Sequence, residues 1–275
     1  MSKPANINEK YQIPDSLWEK IEPIIKGLPK KEKKKPGRPK MDDRQALNAI
    51  LYLMYTGCQW KALPRCLGAS STVHDRFQYW ANLGLFAILW HEGLLQYDLT
   101  KGIDWAWQAA DGAQVQAPLG GQAVGPSYKH RGKNGTNRSV LTDGQGVPLA
   151  MSVAQANCND FKLLRPTLEA FAIPRPCPNH CPQNLCLDKG YDCLEIDELV
   201  ASWGYTAHIR RKGEVSIPKA PIPGYRARRW VVERTHSWMN HFRRLIIRWE
   251  RKETNFLALL HFACAWISYR TAEVF

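Results

Sequence analysis

The spacing of apolar residues changes along the chain, and that change limits the fold more than any single motif. Up to about Gln96 apolar side chains recur at intervals of three and four, the period of helices buried on one face. "DSLWEKIEPII" opens on Asp15 or Ser16 as a cap. "DDRQALNAILYLMYTG" begins with two acids, stops at Gly57 and carries Leu47, Ile50, Leu51 and Met54 on one side. Beyond residue 97 the pattern is of short strands and turns. A strand lies in "DWAWQAADGAQVQA", and two more flank a hairpin at Asp143-Gly144-Gln145-Gly146. The chain then alternates: helix "DFKLLRPTLEAFAI", strand "QNLCLDKGYD", helix "CLEIDELVASWG", strand "YTAHIRR" and a long helix from Arg226. Three antiparallel strands followed by alternation predict an α/β unit, a mixed sheet flanked by helices, over residues 97–275. An all-α unit over residues 1–96 precedes it.

The chain has 275 residues and a formal net charge of +13, with hydrophobic residues at 44%. That content builds a core and excludes a disordered chain. The positive excess suits a polyanion, nucleic acid before any other. The N-terminus has no apolar secretory core, and the longest apolar run, residues 256–269, contains His261 and is too short for a bilayer. A buried C-terminal helix and a cytoplasmic location are expected.

Residues 29–40, "PKKEKKKPGRPK", hold seven Lys or Arg and three prolines and bury nothing, so they form an exposed basic tether. Its Gly37-Arg38-Pro39 core has the form of a minor-groove hook that inserts Arg38, with Lys40 beside it. After the tether, a short helix over "WKALPRCLG" and a second capped by Ser70 or Ser71 outline a helix-turn-helix. His74, Arg76 and Gln78 are then its outward residues toward DNA. A plain three-helix bundle gives the same pattern.

Three acids stand at suggestive places: Asp111 at the end of the first strand, Asp188 at the end of the fourth, and Glu233 on the long helix. Neighbouring strand ends bring two aspartates together, and a helix beside them adds the glutamate. On a helical wheel Val231, Thr235, Trp238, Phe242, Leu245 and Trp249 form an apolar stripe. Glu233 shares the opposite face with Arg226, Arg229, His236, Ser237, Asn240 and Arg244. Converging carboxylates suit hard divalent ions, and the cations around them suit phosphates. Taken singly, Asp111-Gly112 and Asp188-Lys189-Gly190 also read as turns, and Glu233 as a helix partner of Arg229. Asp143 has the same Asp-Gly context inside a hairpin and serves as the structural control. Lys129, His130, Arg131, Lys133 and Arg138, in a Gly-rich stretch, are expected along a DNA backbone.

The chain has eight cysteines, and Cys177, Cys181, Cys186 and Cys193 cluster around His180. A three-residue gap, the lack of a second matching pair and the strand position of Cys186 argue against zinc.

These stretches, "GRPKMDDRQALNAILYLMYTGCQWKALP", "LTDGQGVPLA", "LCLDKGYD" and "GYRARRWVVERTHSWMNHFRRLIIRWE" among them, resemble the IS5-group insertion-sequence transposases of the DDE superfamily over nearly the whole chain. The resemblance implies an RNase H-like fold with Asp111, Asp188 and Glu233 as the catalytic, metal-binding triad. It further implies two Mg2+ ions, with Mn2+ as a substitute, and cleavage at element ends followed by strand transfer into target DNA. The implied partners are double-stranded DNA, both terminal inverted repeats and target, and a second copy of the chain on that DNA, at the bacterial nucleoid. Two departures stand out. Tyr225 and Arg228 or Arg229 precede Glu233 one position off the family spacing, and Asn240 stands where a lysine falls, with Arg243 and Arg244 just beyond. In "NCND", residues 157–160, Asn159 replaces a histidine. An element-derived DNA-binding protein without catalysis is the alternative class.

Deleting residues 30–40 is expected to flatten the dependence of DNA affinity on salt concentration, because each cation removed from the interface releases one fewer counterion. Binding isotherms across a salt series check this; an unchanged slope removes the tether from the interface.

Overall fold

The computed structural model describes residues 8–29, 40–211 and 230–275. Arg38 in the tether, and Arg226, Arg228 and Arg229 ahead of Glu233, lie outside the described residues. The N-terminal half is helical, as its spacing predicts. Helix α1 (Asp15–Gly27) buries Leu17, Ile21 and Ile25, four residues apart. Helix α2 (Asp43–Thr56) is capped by Asp42, whose Oδ1 accepts the Gln45 N–H at 2.8 Å, and stops at Gly57 with φ 69°. Gly57 has a second reason to be glycine: a Cβ there would stand 3.1 Å from the Cβ of Arg243.

The stretch "WKALPRCLG" forms two separate 3-10 turns, Trp60–Ala62 and Arg65–Leu67, where one short helix was expected. Helix α3 (Ser70–Asn82) starts one residue earlier than its serines imply. Ala69 holds the cap position without a side-chain bond, because Gly68 at φ 109° has already turned the chain and Ser70 lies in the first turn. Helix α4 (Leu85–Thr100) follows, and the expected boundary at 96/97 falls inside its last turn.

The second half is a mixed sheet with helices on both faces. Its strands are β1 (Trp107–Gln116), β2 (Gly125–Pro126), β3 (Asn134–Asp143), β4 (Pro148–Gln155), β5 (Gln183–Leu187) and β6 (Tyr205–Ile209). The order is β2-β3-β1-β5-β6, with β4 also on β3. Pairing is antiparallel through β4, β3 and β1, then parallel through β5 and β6. This is the RNase H-like sheet that the resemblance implied. Helix α5 (Asp160–Glu169) leads from β4 toward β5, and α6 (Leu194–Ser202) joins β5 to β6. Helices α7 (Trp230–Asn240) and α8 (Glu253–Thr271) complete the chain.

Helix α4 is apolar nearly all round because it is shared. It lies along α8, where Gly93 admits Tyr269: a Cβ at 93 would sit 3.2 Å from that ring. The Phe86 and Phe262 rings stack across the pair with centroids 5.3 Å apart. Trp90 donates from Nε1 to the Pro148 carbonyl at 3.0 Å, which ties α4 to the start of β4. One buried cluster therefore runs from Ile13 through α4 and α8 into the sheet. Burying each large side chain there contributes about 1.5–3 kcal/mol.

Asp143, the structural control, is fully buried and organises the β3–β4 turn. Its Oδ1 accepts the Gln145 and Val147 N–H groups at 2.9 and 2.8 Å. Its Oδ2 accepts the Tyr97 hydroxyl at 2.8 Å and the Asp104 N–H at 3.3 Å. Burial pushes the carboxyl up from 3.8 to about 6, against the pull of those bonds. A raised carboxyl favours folding most below pH 3.8, and that contribution is lost as pH climbs to about 6. Tyr97→Phe removes one donor to a charged acceptor and should cost about 2 kcal/mol. It also raises the Asp143 pKa further, so the deficit should be larger at pH 7.5 than at pH 5. Urea denaturation at the two pH values measures both effects.

Candidate active site

Strand β1 does not end at Asp111-Gly112, as the turn-like dipeptide implied. It runs on to Gln116, and Asp111 lies mid-strand opposite Val140 of β3. The glycine is there for space. A Cβ at 112 would fall inside the carboxylate of Asp160, which reaches that face of the sheet from α5 and accepts the Asn137 Nδ2 at 2.5 Å. Asp188 does end its strand, β5, as expected. It caps the 3-10 turn Lys189–Tyr191, its Oδ1 accepting the Gly190 N–H at 2.6 Å.

Strand register sets the two aspartates just past the paired stretch of neighbouring strands. The parallel pairs are Trp107 with Asn184, Gln108 with Leu185 and Ala109 with Cys186. Asp111 and Asp188 each lie two residues beyond the last bonded pair, Ala109 with Cys186. Their common face follows from packing: Ala109 and Cys186 form a small buried cluster with Val232 of α7. Strand residues two apart share a face, so Asp111 and Asp188 lie on the α7 side, just past the Val232 contact. Glu233 follows Val232, and His236, one turn on, packs at the Asp111 backbone. Asp111 and Asp188 are half-buried, and Glu233 is exposed. Tyr191, buried beside them, has its phenol pushed well up by burial and then by Asp160, Asp111 and Asp188, so it stays protonated. Among the described residues no group of three or more His, Cys, Asp or Glu is close enough to hold one ion. Asp111 and Asp188 share the α7 side of the sheet, and Glu233 follows the helix residue that packs there.

The expected long helix is cut short. Helix α7 ends at Asn240, a 3-10 turn covers Arg243–Leu245, and Ile247 bridges to Gln116 in parallel. Two residues that the wheel placed in solvent beside Glu233, His236 and Arg244, are buried, and so is Arg138, which was expected along a DNA backbone. His236 is buried, not beside Glu233 in solvent; burial, then Arg138, push its imidazole down to about 3, so it is neutral near pH 7. Arg138 is also buried, in β3. Burial lowers its guanidinium to about 10, and its Nη2 donates to Asn240 Oδ1 at 2.9 Å. A lysine at 240 would set a second cation against that buried guanidinium, so asparagine fits this position.

Arg244 is buried as well. Nε and Nη2 donate to Glu250 Oε1 at 2.9 and 2.6 Å, and Nη1 donates to the Cys58 carbonyl at 2.8 Å. Arg248, which the sequence did not single out, is buried with bonds to Thr136 Oγ1 and the Gln122, Ala123 and Glu250 carbonyls. These arginines take internal carbonyls as partners, which no local pattern announces.

The remaining candidates divide by exposure. Lys40, Lys129, Arg131, Lys133 and Arg243 are exposed. His130 is half-buried; it belongs to a turn closed by the Gly132 N–H on the Ser127 carbonyl at 2.8 Å. On α3, Arg76 pairs with Asp43 and donates to the Met41 carbonyl at 3.2 Å. His74 stacks on Trp60 at 4.7 Å and contacts Gln78 at 3.1 Å. All three are partly engaged within the module. Asn159 stands exposed at the N-cap of α5 without a capping side-chain bond. Cys186 is buried against Ala109 and Val232.

Two family profiles match this chain. "Putative transposase of IS4/5 family" covers residues 13–90, and "Transposase DDE domain" covers residues 108–267. Among curated relatives, the "Putative transposase for insertion sequence element IS402" of Burkholderia cepacia is 34% identical over 152 residues, 54% of this chain and 69% of that protein. A 16.2 kDa protein of the same insertion element is 34% identical over 116 residues, 41% of this chain and 78% of its own length. Protein y4sN of Sinorhizobium fredii is 29% identical over 87 residues, 30% of this chain and 66% of its own.

Arg244→Met should destabilise the fold by about 3–5 kcal/mol, because it leaves Glu250 as an unpaired buried charge. Replacing both Arg244 and Glu250 by apolar residues should cost much less. Denaturation of the single and double variants tests this; a neutral single variant would return Arg244 to the surface.

Proposed function

This chain belongs to the DDE transposases of the IS4/5 type, and on that premise we propose that it cuts DNA at the ends of its own insertion element and joins the freed 3′ ends to target DNA. DDE transposase domains work with divalent metal ions. Magnesium is the proposed ion, with Asp111, Asp188 and Glu233 as its ligands and manganese as a substitute. Three hard oxygen donors match the ligand preference of Mg2+, which takes carboxylates together with substrate phosphate and water. Bound there, a pair of such ions would activate the attacking oxygen and neutralise the leaving one.

The observation that carries this reading is the common floor under the acids: Ala109, Cys186 and Val232 in contact, with an acid one or two residues beyond each. Asp111 and Asp188 are fixed by strand backbone, so their spacing is set before any substrate arrives. Glu233 completes the set from a helix. Tyr191 keeps its proton among the carboxylates, which limits the negative charge that gathers there in the absence of a cation. Lys129, Arg131, Lys133 and Arg243 offer exposed cations to flanking phosphates; Arg226, Arg228 and Arg229, outside the described residues, are included in the proposal from sequence alone. The helical module with α3, and Arg38 and Lys40 of the tether, are the proposed end-recognition elements. Two element ends are joined in one event, so a dimer on DNA with inverted repeats as substrate is included in the proposal.

Asp188→Asn is expected to abolish Mg2+-dependent nicking and joining of duplexes that carry the element's ends, while gel-shift affinity stays near that of the native chain. Normal reaction by this variant would sink the site assignment. Tight binding with no reaction of the native chain in Mg2+ or Mn2+ would favour a DNA-binding protein without catalysis.

A further inference from the structure

We infer that Arg234 and the β3–β4 turn form a clamp that fixes the axial position of α7, which makes Arg234 and Gly146 positioning residues for Glu233. The inference rests on the reading of Glu233 as a metal ligand.

The guanidinium of Arg234 is stacked between two indoles on its own helix, its central carbon 4.8 Å from the centroid of Trp230 and 4.8 Å from that of Trp238. Held in that slot, its Nη2 donates to the Gln145 carbonyl. The next residue repeats the attachment: Thr235 Oγ1 donates to the Gly146 carbonyl at 2.6 Å. Gly146 sits at φ 82°, and a Cβ there would stand 3.0 Å from Arg234 Nη2 and 3.2 Å from Thr235 Oγ1. A side chain at 146 is thus disfavoured twice, by its own backbone and by the helix seated on it.

The turn on the other side of the clamp is rigid. The buried Asp143 carboxylate holds it from within, and Tyr97 anchors that carboxylate to α4. At the far end of α7 the Arg138–Asn240 bond gives a second fixed point. Glu233 directly precedes the two residues that make the clamp. A slip of one residue along the helix moves a side chain by about 1.5 Å and swings it by roughly 100°, which would carry Glu233 away from its place next to the Val232 contact with Ala109 and Cys186. Lysine keeps the charge of Arg234 but has neither the planar group that fills the slot nor the fixed fork that aims at a carbonyl.

The experiment is Mn2+ binding to the full-length protein, followed by the electron paramagnetic resonance signal of free Mn2+, with melting temperature recorded for every variant. Arg234→Lys and Gly146→Ala are each expected to weaken binding about 10-fold while still melting cooperatively. Glu233→Gln should weaken it comparably, and adding Arg234→Lys to Glu233→Gln should cost nothing further, since one residue acts through the other. Should Gly146→Ala not fold, Thr235→Val tests the same attachment. Native Mn2+ affinity in Arg234→Lys overturns the clamp, as does an additive loss in the double variant. Native affinity in Glu233→Gln overturns the underlying site, and the clamp's purpose with it; that result needs no Arg234 variant to be recognised.

Discussion

The short parallel pairing of β1 with β5 is the constraint from which the rest of the architecture follows. β1 is bonded to β3 from Gln108 to Gln116, yet to β5 only from Trp107 to Ala109. The strands β1 and β5 thus separate just ahead of Asp111 and Asp188. On that side of β1 the next bonded residue is Gln116, which meets Ile247. Among the described residues no strand pairs with 110–115 along this edge, so the aspartates line a split in the sheet. Openings beyond the carboxyl ends of parallel strands are where α/β sheets admit ligands. A longer β5 would close the split and pair away the opening beside the aspartates.

Charge in this protein divides by depth, and the division decides which cations are free for a polyanion. Arg138, Arg244 and Arg248 serve the interior: each spans segments distant in sequence by donating to carbonyls or to a buried acid. A guanidinium offers five donors in a fixed plane, so it can join three chain segments at once. Arg244 and Arg248 have their donors taken, which offsets the cost of burying their charge, whereas Arg138 bonds through Nη2 alone and its Nε and Nη1 find no partner among the described residues. Lys129, Arg131, Lys133 and Arg243 instead stay at the surface, where they contribute to a net charge of +13.

That division also marks where the sequence could be read and where it could not. Features set by a few adjacent residues were legible: the two acids that open α2, the Gly57 stop, the alternation of strands and helices, and Asp188 just past β5. Features set by distant partners were not. Nothing near Arg244 announces that its acceptor is the Cys58 carbonyl, 186 residues away. Asp111-Gly112 read as a strand end because Asp-Gly usually turns, whereas the glycine makes room for Asp160 arriving from α5. The long wheel from Arg226 to Trp249 failed for a related reason. Phe242 and Leu245 are buried as a helical stripe requires, but a 3-10 turn buries them equally well, and Arg244 could not reach Glu250 and Cys58 from a continuous helix face. The candidate acids were found by position and family likeness; their common floor of Ala109, Cys186 and Val232 appeared only with the register.

The acids differ in how they are held, and this bears on how an ion site would close. Asp111 and Asp188 stand on strands whose backbones are fixed by ladder hydrogen bonds or by a capped turn. Glu233 stands on a helix attached to the sheet by side chains: Val232 on Ala109, Thr235 on Gly146, Asn240 with Arg138. Three carboxylates drawn into contact without a cation repel one another, and exposure to water lets them relax apart at little cost. Rotation of the exposed Glu233 side chain demands far less of the structure than moving either strand. On the proposed assignment of the three acids, the seat of α7, not the sheet, is the element whose accuracy sets how well their oxygens can meet on one ion.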